Sequence, residues 1–138
     1  MSSEPSPRTV VTFGTFDVFH YGHLRVLERA AELGDRLLVG ISSDELNASK
    51  KQRAPIYPLQ ERMAIVAGLK VVDGVFVEHS LDLKRDYLRE HHADVLVMGD
   101  DWEGRFDEFN DTCEVVYLPR TPAISTTELI ERISWGSS

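Results

Sequence analysis

A chain of 138 residues holds one core and is too short for two, so any ligand must be bound within a single fold or where copies meet. Its formal net charge of -8 disfavours a general grip on nucleic-acid backbone, which calls for Lys and Arg in excess over a face, so any phosphate site must be local. With hydrophobic residues at 42%, charged residues at 28%, no apolar run near the roughly 20 residues that span a bilayer and a single Cys113, the composition predicts a cytoplasmic globular domain that lies in no membrane and carries no internal disulfide.

Met1 to Arg8 contains Ser, Glu and Pro without an apolar centre and reads as a disordered lead-in rather than a signal peptide. Residues 9–133 then form the domain and 134–138 a tail. Thr9 to Phe13 is a β-branched and aromatic run that predicts a strand, and Leu24, Leu27, Ala30, Ala31 and Leu33 follow at helical spacing before Gly34. Arg36 to Ser42 predicts the second strand. A polar, basic stretch through Arg53 comes next, with Asn47 to Ile56 as a flexible loop, and then a helix from about Pro58 to Leu69 with proline in its first turn. Val71 to Val77 predicts a third strand, Leu81 to His91 a helix, Asp94 to Met98 a fourth strand and Glu114 to Leu118 a fifth, before a last helix from near Ser125.

Strands alternating with helices require crossover connections, and the unbroken apolar runs Leu37-Leu38-Val39 and Val95-Leu96-Val97 suit strands covered on both faces. The expected fold is a single Rossmann-like, doubly wound α/β domain with a five-stranded parallel sheet and helices on both faces. Ligands of such sheets bind beyond the carboxyl ends of the strands, so the loops after Phe13, Ile41, Met98 and Leu118 are the informative ones.

The first of these reads Gly14-Thr15-Phe16-Asp17-Val18-Phe19-His20-Tyr21-Gly22-His23 and runs straight into a helix start, where backbone amides favour an anion. The three-residue spacing of His20 and His23 allows both imidazoles to meet charge developing on a phosphoryl oxygen. Helix capping is an equally simple use for them, and a zinc site would need further ligands. The loop is neither a G-x-x-x-x-G-K-[ST] phosphate loop nor a G-x-G-x-x-G dinucleotide turn.

It resembles instead the Thr-Phe-Asp-x-x-His-x-Gly-His signature of the cytidylyltransferase branch of the nucleotidylyltransferase superfamily, whose two histidines contact the nucleotide phosphates. A second match is Arg120-Thr121-Pro122-Ala123-Ile124-Ser125-Thr126-Thr127, similar to that family's Arg-Thr-x-Gly-Ile-Ser-Thr-Thr, with Ala123 in place of Gly and with Ser125 and Glu128 spaced as a capping box. Gly99-Asp100-Asp101-Trp102-Glu103-Gly104, which by composition is a turn able to hold Mg²⁺ or ribose hydroxyls, looks like the glycerol-3-phosphate cytidylyltransferases in particular, as does Glu114 to Thr121. The resemblance runs from about Val10 to Ile133.

It implies transfer of a cytidylyl group from CTP to glycerol 3-phosphate by direct in-line attack, giving CDP-glycerol and pyrophosphate. His20, His23, Lys50 and Arg120 would be catalytic, and Thr15, Phe16, Gly22, Asp101, Arg120, Thr121, Ser125 and Thr126 would bind nucleotide. Asp17, Lys50, Arg62 and Lys84 would bind the acceptor. Of the usual pair of lysines only Lys50 aligns, with Gln52 at the second position between Lys51 and Arg53; Lys70 stands where an Arg often lies near the base. Arg62 has the plainer reading of an exposed helix residue. Mg²⁺ is the implied cofactor, on the CTP phosphates with Asp17 or Asp101 as protein ligands, and a homodimer is implied. The product would suit a glycerol-phosphate polymer such as teichoic acid. Rival readings are a related enzyme that uses ATP or a different phospho-alcohol, and a noncatalytic nucleotide-binding protein.

Overall fold

The computed structural model describes residues 7–51, 54–119, 130 and 133, with the backbone alone for 49–51. Five strands, β1 (Thr9–Gly14), β2 (Arg36–Ser42), β3 (Gly74–Glu78), β4 (Val95–Gly99) and β5 (Glu114–Leu118), form one sheet in the order β3-β2-β1-β4-β5, parallel throughout. The register pairs Val10 with Leu37 on one side and with Val95 on the other. The chain begins at the centre, winds outward to β3, and crosses back to β4. The order therefore reverses between β1 and β4, and a crevice opens beyond their carboxyl ends.

The helices are α1 (Tyr21–Ala31), α2 (Asp44–Lys51), α3 (Leu59–Ala67) and α4 (Lys84–Glu90). Alternation along β1 sends Val10 into a core with Leu27 and Ala30 of α1 and Val66 of α3, and Val11 with Phe13 into a core with Leu88 of α4 and Phe109. Helices thus cover both faces of the sheet, as the continuous apolar strands require.

Several expectations shift. The loop expected from Asn47 begins instead as α2: Ser43 Oγ accepts the Leu46 amide at 3.1 Å, and Asp44 and Glu45 occupy the first turn, where the helix dipole favours acids. The third strand starts at Gly74, because Asp73 turns its carboxylate onto the Leu37 amide at 2.8 Å. The helix expected over 81–91 opens as a 3₁₀ turn, Leu81–Leu83, under a Ser80 cap before α4. Of the lead-in expected over Met1 to Arg8, residues 1–6 lie outside the described residues, as does the tail 134–138, whereas Arg8 is held to the fold, its amide donating to Asp35 Oδ2 at 2.8 Å and its Nε to the Leu33 carbonyl at 3.0 Å. Of the last helix only Ile130 and Ile133 are described, both helical.

Gly14, the last residue of β1, has no room for a side chain: a Cβ there would come within 2.8 Å of the Phe16 ring. Gly14→Ala must therefore displace a buried ring in the loop that carries the histidines. It should cost about 1–3 kcal/mol of stability by overpacking, to be read from urea unfolding.

Candidate functional site

The loop after β1 is held in an unusual conformation. Phe16 and Val18 both have positive φ, 55° and 47°, a region that a β-branched residue occupies only when its surroundings force it. Phe16 is buried, its ring 5.5 Å from that of His23 and 6.5 Å from that of Phe19. Between the two strained residues Asp17 is 6% exposed, and its carboxylate accepts the amides of Ile56 at 2.7 Å, Tyr57 at 2.8 Å and Val18 at 3.1 Å.

The loop delivers His20 as the N-cap of α1. Its Nδ1 accepts the Gly22 amide at 3.0 Å, and Nδ1 of His23 accepts the His20 amide at 3.2 Å, a reciprocal capping box made of two imidazoles stacked with centroids 3.9 Å apart. Capping and anion binding are therefore compatible uses of these side chains. An Nδ1 that accepts a backbone N–H carries no proton, so each neutral ring carries its proton on Nε2, the atom that can donate to a phosphoryl oxygen.

Burial holds the His20 pKa below its ordinary 6.5, since desolvation disfavours the imidazolium. The proton would also remove the acceptor of the Gly22 amide and oppose the helix dipole. The fold thus favours the neutral form, and this contribution to stability is present above the unfolded value of 6.5 and lost as pH falls through the folded one. The drop in thermal midpoint on acidification below that pH should be smaller in His20→Asn, which keeps a cap acceptor and does not titrate.

Beyond β1 and β4 lies a cavity of about 510 Å³. Thr15, Phe16, Asp17, His23, Lys84 and Asp101 all reach its wall. His20 and Gly22 do not themselves line the cavity: His20 stacks against His23, and Gly22 immediately precedes His23 in the same turn. Asp101 sits in a 3₁₀ turn, Asp100–Trp102, and is exposed beside a partly exposed Trp102, with the Arg105 guanidinium 5.5 Å from the indole.

Lys84, at the N-terminus of α4, is 3% exposed. Its ammonium lies 2.6 Å from Oε2 of Glu78, itself 1% exposed, and 3.8 Å from the Phe13 ring centroid. Burial lowers the Lys84 pKa, and the Glu78 charge opposes that shift. A buried cation thus stands at the cavity wall with one carboxylate and two rings, those of Phe13 and, at 5.4 Å, Phe106, as counterparts.

Arg62 is 0% exposed, which removes the reading of it as a surface helix residue. Its guanidinium donates to the carbonyls of Tyr57 (2.9 Å), Thr15 (2.9 Å) and Ser42 (2.8 Å) and to Oδ1 of Asp44 (2.6 Å). Lys50 falls in the last turn of α2, its side chain outside the described set; Gln52, Arg53, Arg120, Thr121, Ala123, Ser125 and Thr126 also lie outside the described residues.

Sequence reasoning passed over Asn47 and Glu78. Asn47 is 2% exposed, accepts the Thr15 hydroxyl at 2.7 Å and reaches the cavity. The Ser43-Asp44-Glu45 helix start was the available signal for its placement. Glu78 ends a strand and has no local signal, since its partner is chosen by the packing of α4.

Among the described residues no three His, Cys, Asp or Glu side chains converge as a metal site, and no helix is long and apolar enough to cross a membrane. Asp17 is committed to backbone amides, and Asp101, just after β4, and Glu108 are exposed carboxylates on the wall. That donor set suits Mg²⁺ brought in on nucleotide phosphates, an ion that keeps several waters and takes only one or two protein carboxylates.

A family model described as cytidylyltransferase-like matches residues 11–132. The chain is 48% identical over 127 residues to a glycerol-3-phosphate cytidylyltransferase of Bacillus subtilis (strain 168), covering 92% of this chain and 98% of that protein. A glycerol-3-phosphate cytidylyltransferase of Bacillus spizizenii (strain ATCC 23059 / NRRL B-14472 / W23) is 44% identical over 122 residues, 88% and 94% of the two chains. Among solved structures, a lipopolysaccharide core biosynthesis protein from Thermoplasma volcanium GSS1 superposes with a TM-score of 0.72 at 27% identity, over 84% of this chain and 99% of that one. The family match runs from within β1 to beyond β5 and takes in every loop that builds the cavity, and the chain belongs to the cytidylyltransferase-like family.

Proposed function

We propose that this protein is an enzyme that transfers a cytidylyl group from CTP to glycerol 3-phosphate, releasing pyrophosphate and CDP-glycerol. The observation that carries the reading is the 48% identity to a glycerol-3-phosphate cytidylyltransferase across 98% of that protein's length. The neutral histidine pair at a helix N-terminus beside the strand-order reversal supports it chemically.

A phosphate oxygen of glycerol 3-phosphate attacks the α-phosphorus of CTP. The new P–O bond forms as the bond to the β-phosphate bridging oxygen breaks, and that oxygen leaves with its electron pair as pyrophosphate. The nucleophile is already an anion, so the work is to bring two repelling anions together and to stabilise the charge of the transition state. The Nε2–H groups of His20 and His23 donate to oxygens of the α-phosphate. Lys50 lies between the meeting phosphates, and Lys84 receives the acceptor. Arg120, Thr121, Ser125 and Thr126 hold the departing pyrophosphate. Thr15, Phe16 and Gly22 shape the nucleotide side, with Asp101 toward the ribose or the ion. Asp101 is the residue that would ligate Mg²⁺, and the ion would supply charge neutralisation on the CTP phosphates. A cytoplasmic homodimer belongs to the same reading.

The test is pyrophosphate release with Mg²⁺, crossing CTP, ATP, GTP and UTP with glycerol 3-phosphate, phosphoethanolamine, phosphocholine and ribitol 5-phosphate. Turnover confined to CTP with glycerol 3-phosphate is expected. A different productive pair would move the substrate, and no turnover with any pair would refute the enzyme.

A further inference from the structure

The segment from Asp44 to Tyr57, which contains Lys50, is tied to the histidine loop near both of its ends. At its start Arg62 Nη2 holds Asp44 at 2.6 Å while Nη1 of the same guanidinium holds the Thr15 carbonyl at 2.9 Å. At its end the Asp17 carboxylate takes the amides of Ile56 and Tyr57, and Arg62 Nε donates to the Tyr57 carbonyl. The Thr15 hydroxyl adds a bond to Asn47 within the segment. Both charged residues are buried, Arg62 at 0% and Asp17 at 6% exposure, and Asp17 lies between two residues of positive φ. Strained backbone of this kind persists only where its surroundings over-determine it.

We propose that Asp17 and Arg62 are positioning residues: a buried clasp of opposite charges that fixes the histidine loop against the segment bearing Lys50. Neither acts by touching substrate. Arg62 has no exposed surface for a ligand to reach, and Asp17, although it borders the cavity, turns both carboxylate oxygens onto backbone amides. The inference rests on the proposed function, since it gives the clasp the task of aligning the donor and acceptor phosphates.

Asp17→Asn is nearly isosteric but presents an NH₂ group either to the Ile56 amide or to the Tyr57 and Val18 amides, so the clasp must open on one side. Arg62→Lys keeps the charge and loses the fork. Because Arg62 is wholly buried and its variant could fail to fold, Asp44→Asn, at a carboxylate 42% exposed, weakens the same arm from outside. Steady-state kinetics on the productive substrate pair, thermal midpoints and amide exchange at residues 20–23 and 56–57 are measured together.

In Asp17→Asn, kcat should fall by about 10²-fold, the cost of a misplacement near 1 Å, while KM for each substrate moves less than about threefold. Asp44→Asn should show the same split at about tenfold. Exchange should quicken in both loops at once. A raised KM with kcat kept would make these residues substrate contacts and overturn the clasp. A lowered midpoint with kcat intact would reduce them to ordinary stabilising contacts and also overturn it. If the unaltered protein turns over no substrate pair, the proposed function falls and exchange alone decides: quickening confined to 56–57 overturns the clasp, and quickening in both loops sustains it.

Discussion

Alanine at His20 or at His23 should lower kcat by about 10²-fold or more, as loss of one preorganised transition-state donor costs roughly 3 kcal/mol. The expected loss is large because each ring is fixed twice. Its Nδ1 is engaged by a backbone amide, and its plane stacks on its partner at 3.9 Å, so the Nε2–H direction is set before substrate arrives. The two variants differ in their side effects. His20→Ala removes the cap acceptor of the Gly22 amide, and His23→Ala leaves the His20 amide without its side-chain acceptor; either should lower stability by about 1 kcal/mol. His20→Asn, which restores the cap, should regain that stability and not the turnover. Single-turnover rates on folded protein, with thermal midpoints alongside, check this. Near-normal turnover in either alanine variant would remove the histidine from the transition state.

The largest effect on stability is expected from Glu78→Leu. This change strands the Lys84 ammonium, 3% exposed, without its carboxylate, and removing one member of a buried pair costs about 3–5 kcal/mol. For a chain of this length that corresponds to a fall in midpoint on the order of 10–20 °C. Lys84→Met should cost less, because a carboxylic acid can take up a proton more readily than the fold can accommodate a lone cation in an apolar setting. The double variant Glu78→Leu/Lys84→Met should recover most of the stability, as apolar replacement of buried pairs often does. It should nevertheless remain poor in acceptor use, with KM for glycerol 3-phosphate raised by more than about tenfold, if Lys84 faces that substrate. Thermal unfolding and acceptor KM across the three variants separate the two roles. Recovery of both stability and acceptor KM in the double variant would leave the ion pair a packing element only.

The fold was legible in local patterns. Strand runs such as Val95-Leu96-Val97 are apolar on both sides because both sheet faces are covered, and the alternation with helical spacing forces parallel crossovers. Boundaries were less so. Val71 and Val72 have strand character, yet they pack ahead of β3, because Asp73 caps the Leu37 amide and Gly74 is the first residue in register with β2. The start of α2 is masked in the sequence by the basic run that follows, which suggests solvated loop, although Ser43, Asp44 and Glu45 already carry a helix start.

For the site, the sequence alone singled out loops that border the cavity, since motif residues and helix-start signals are local: His20 and His23 at a helix N-terminus, and Asp101 after a buried strand. Only the tertiary structure decided what the charged residues near them touch. Asp17 and Arg62 read as groups for substrate, and folding turns them onto backbone 39 and 47 positions away, at Ile56 and Thr15. Lys84 and Glu78 become a buried pair on the cavity wall through the docking of α4 beneath Phe13. A charge is costly to bury unless paired, and its partner is selected by three-dimensional proximity, which one-dimensional spacing does not encode.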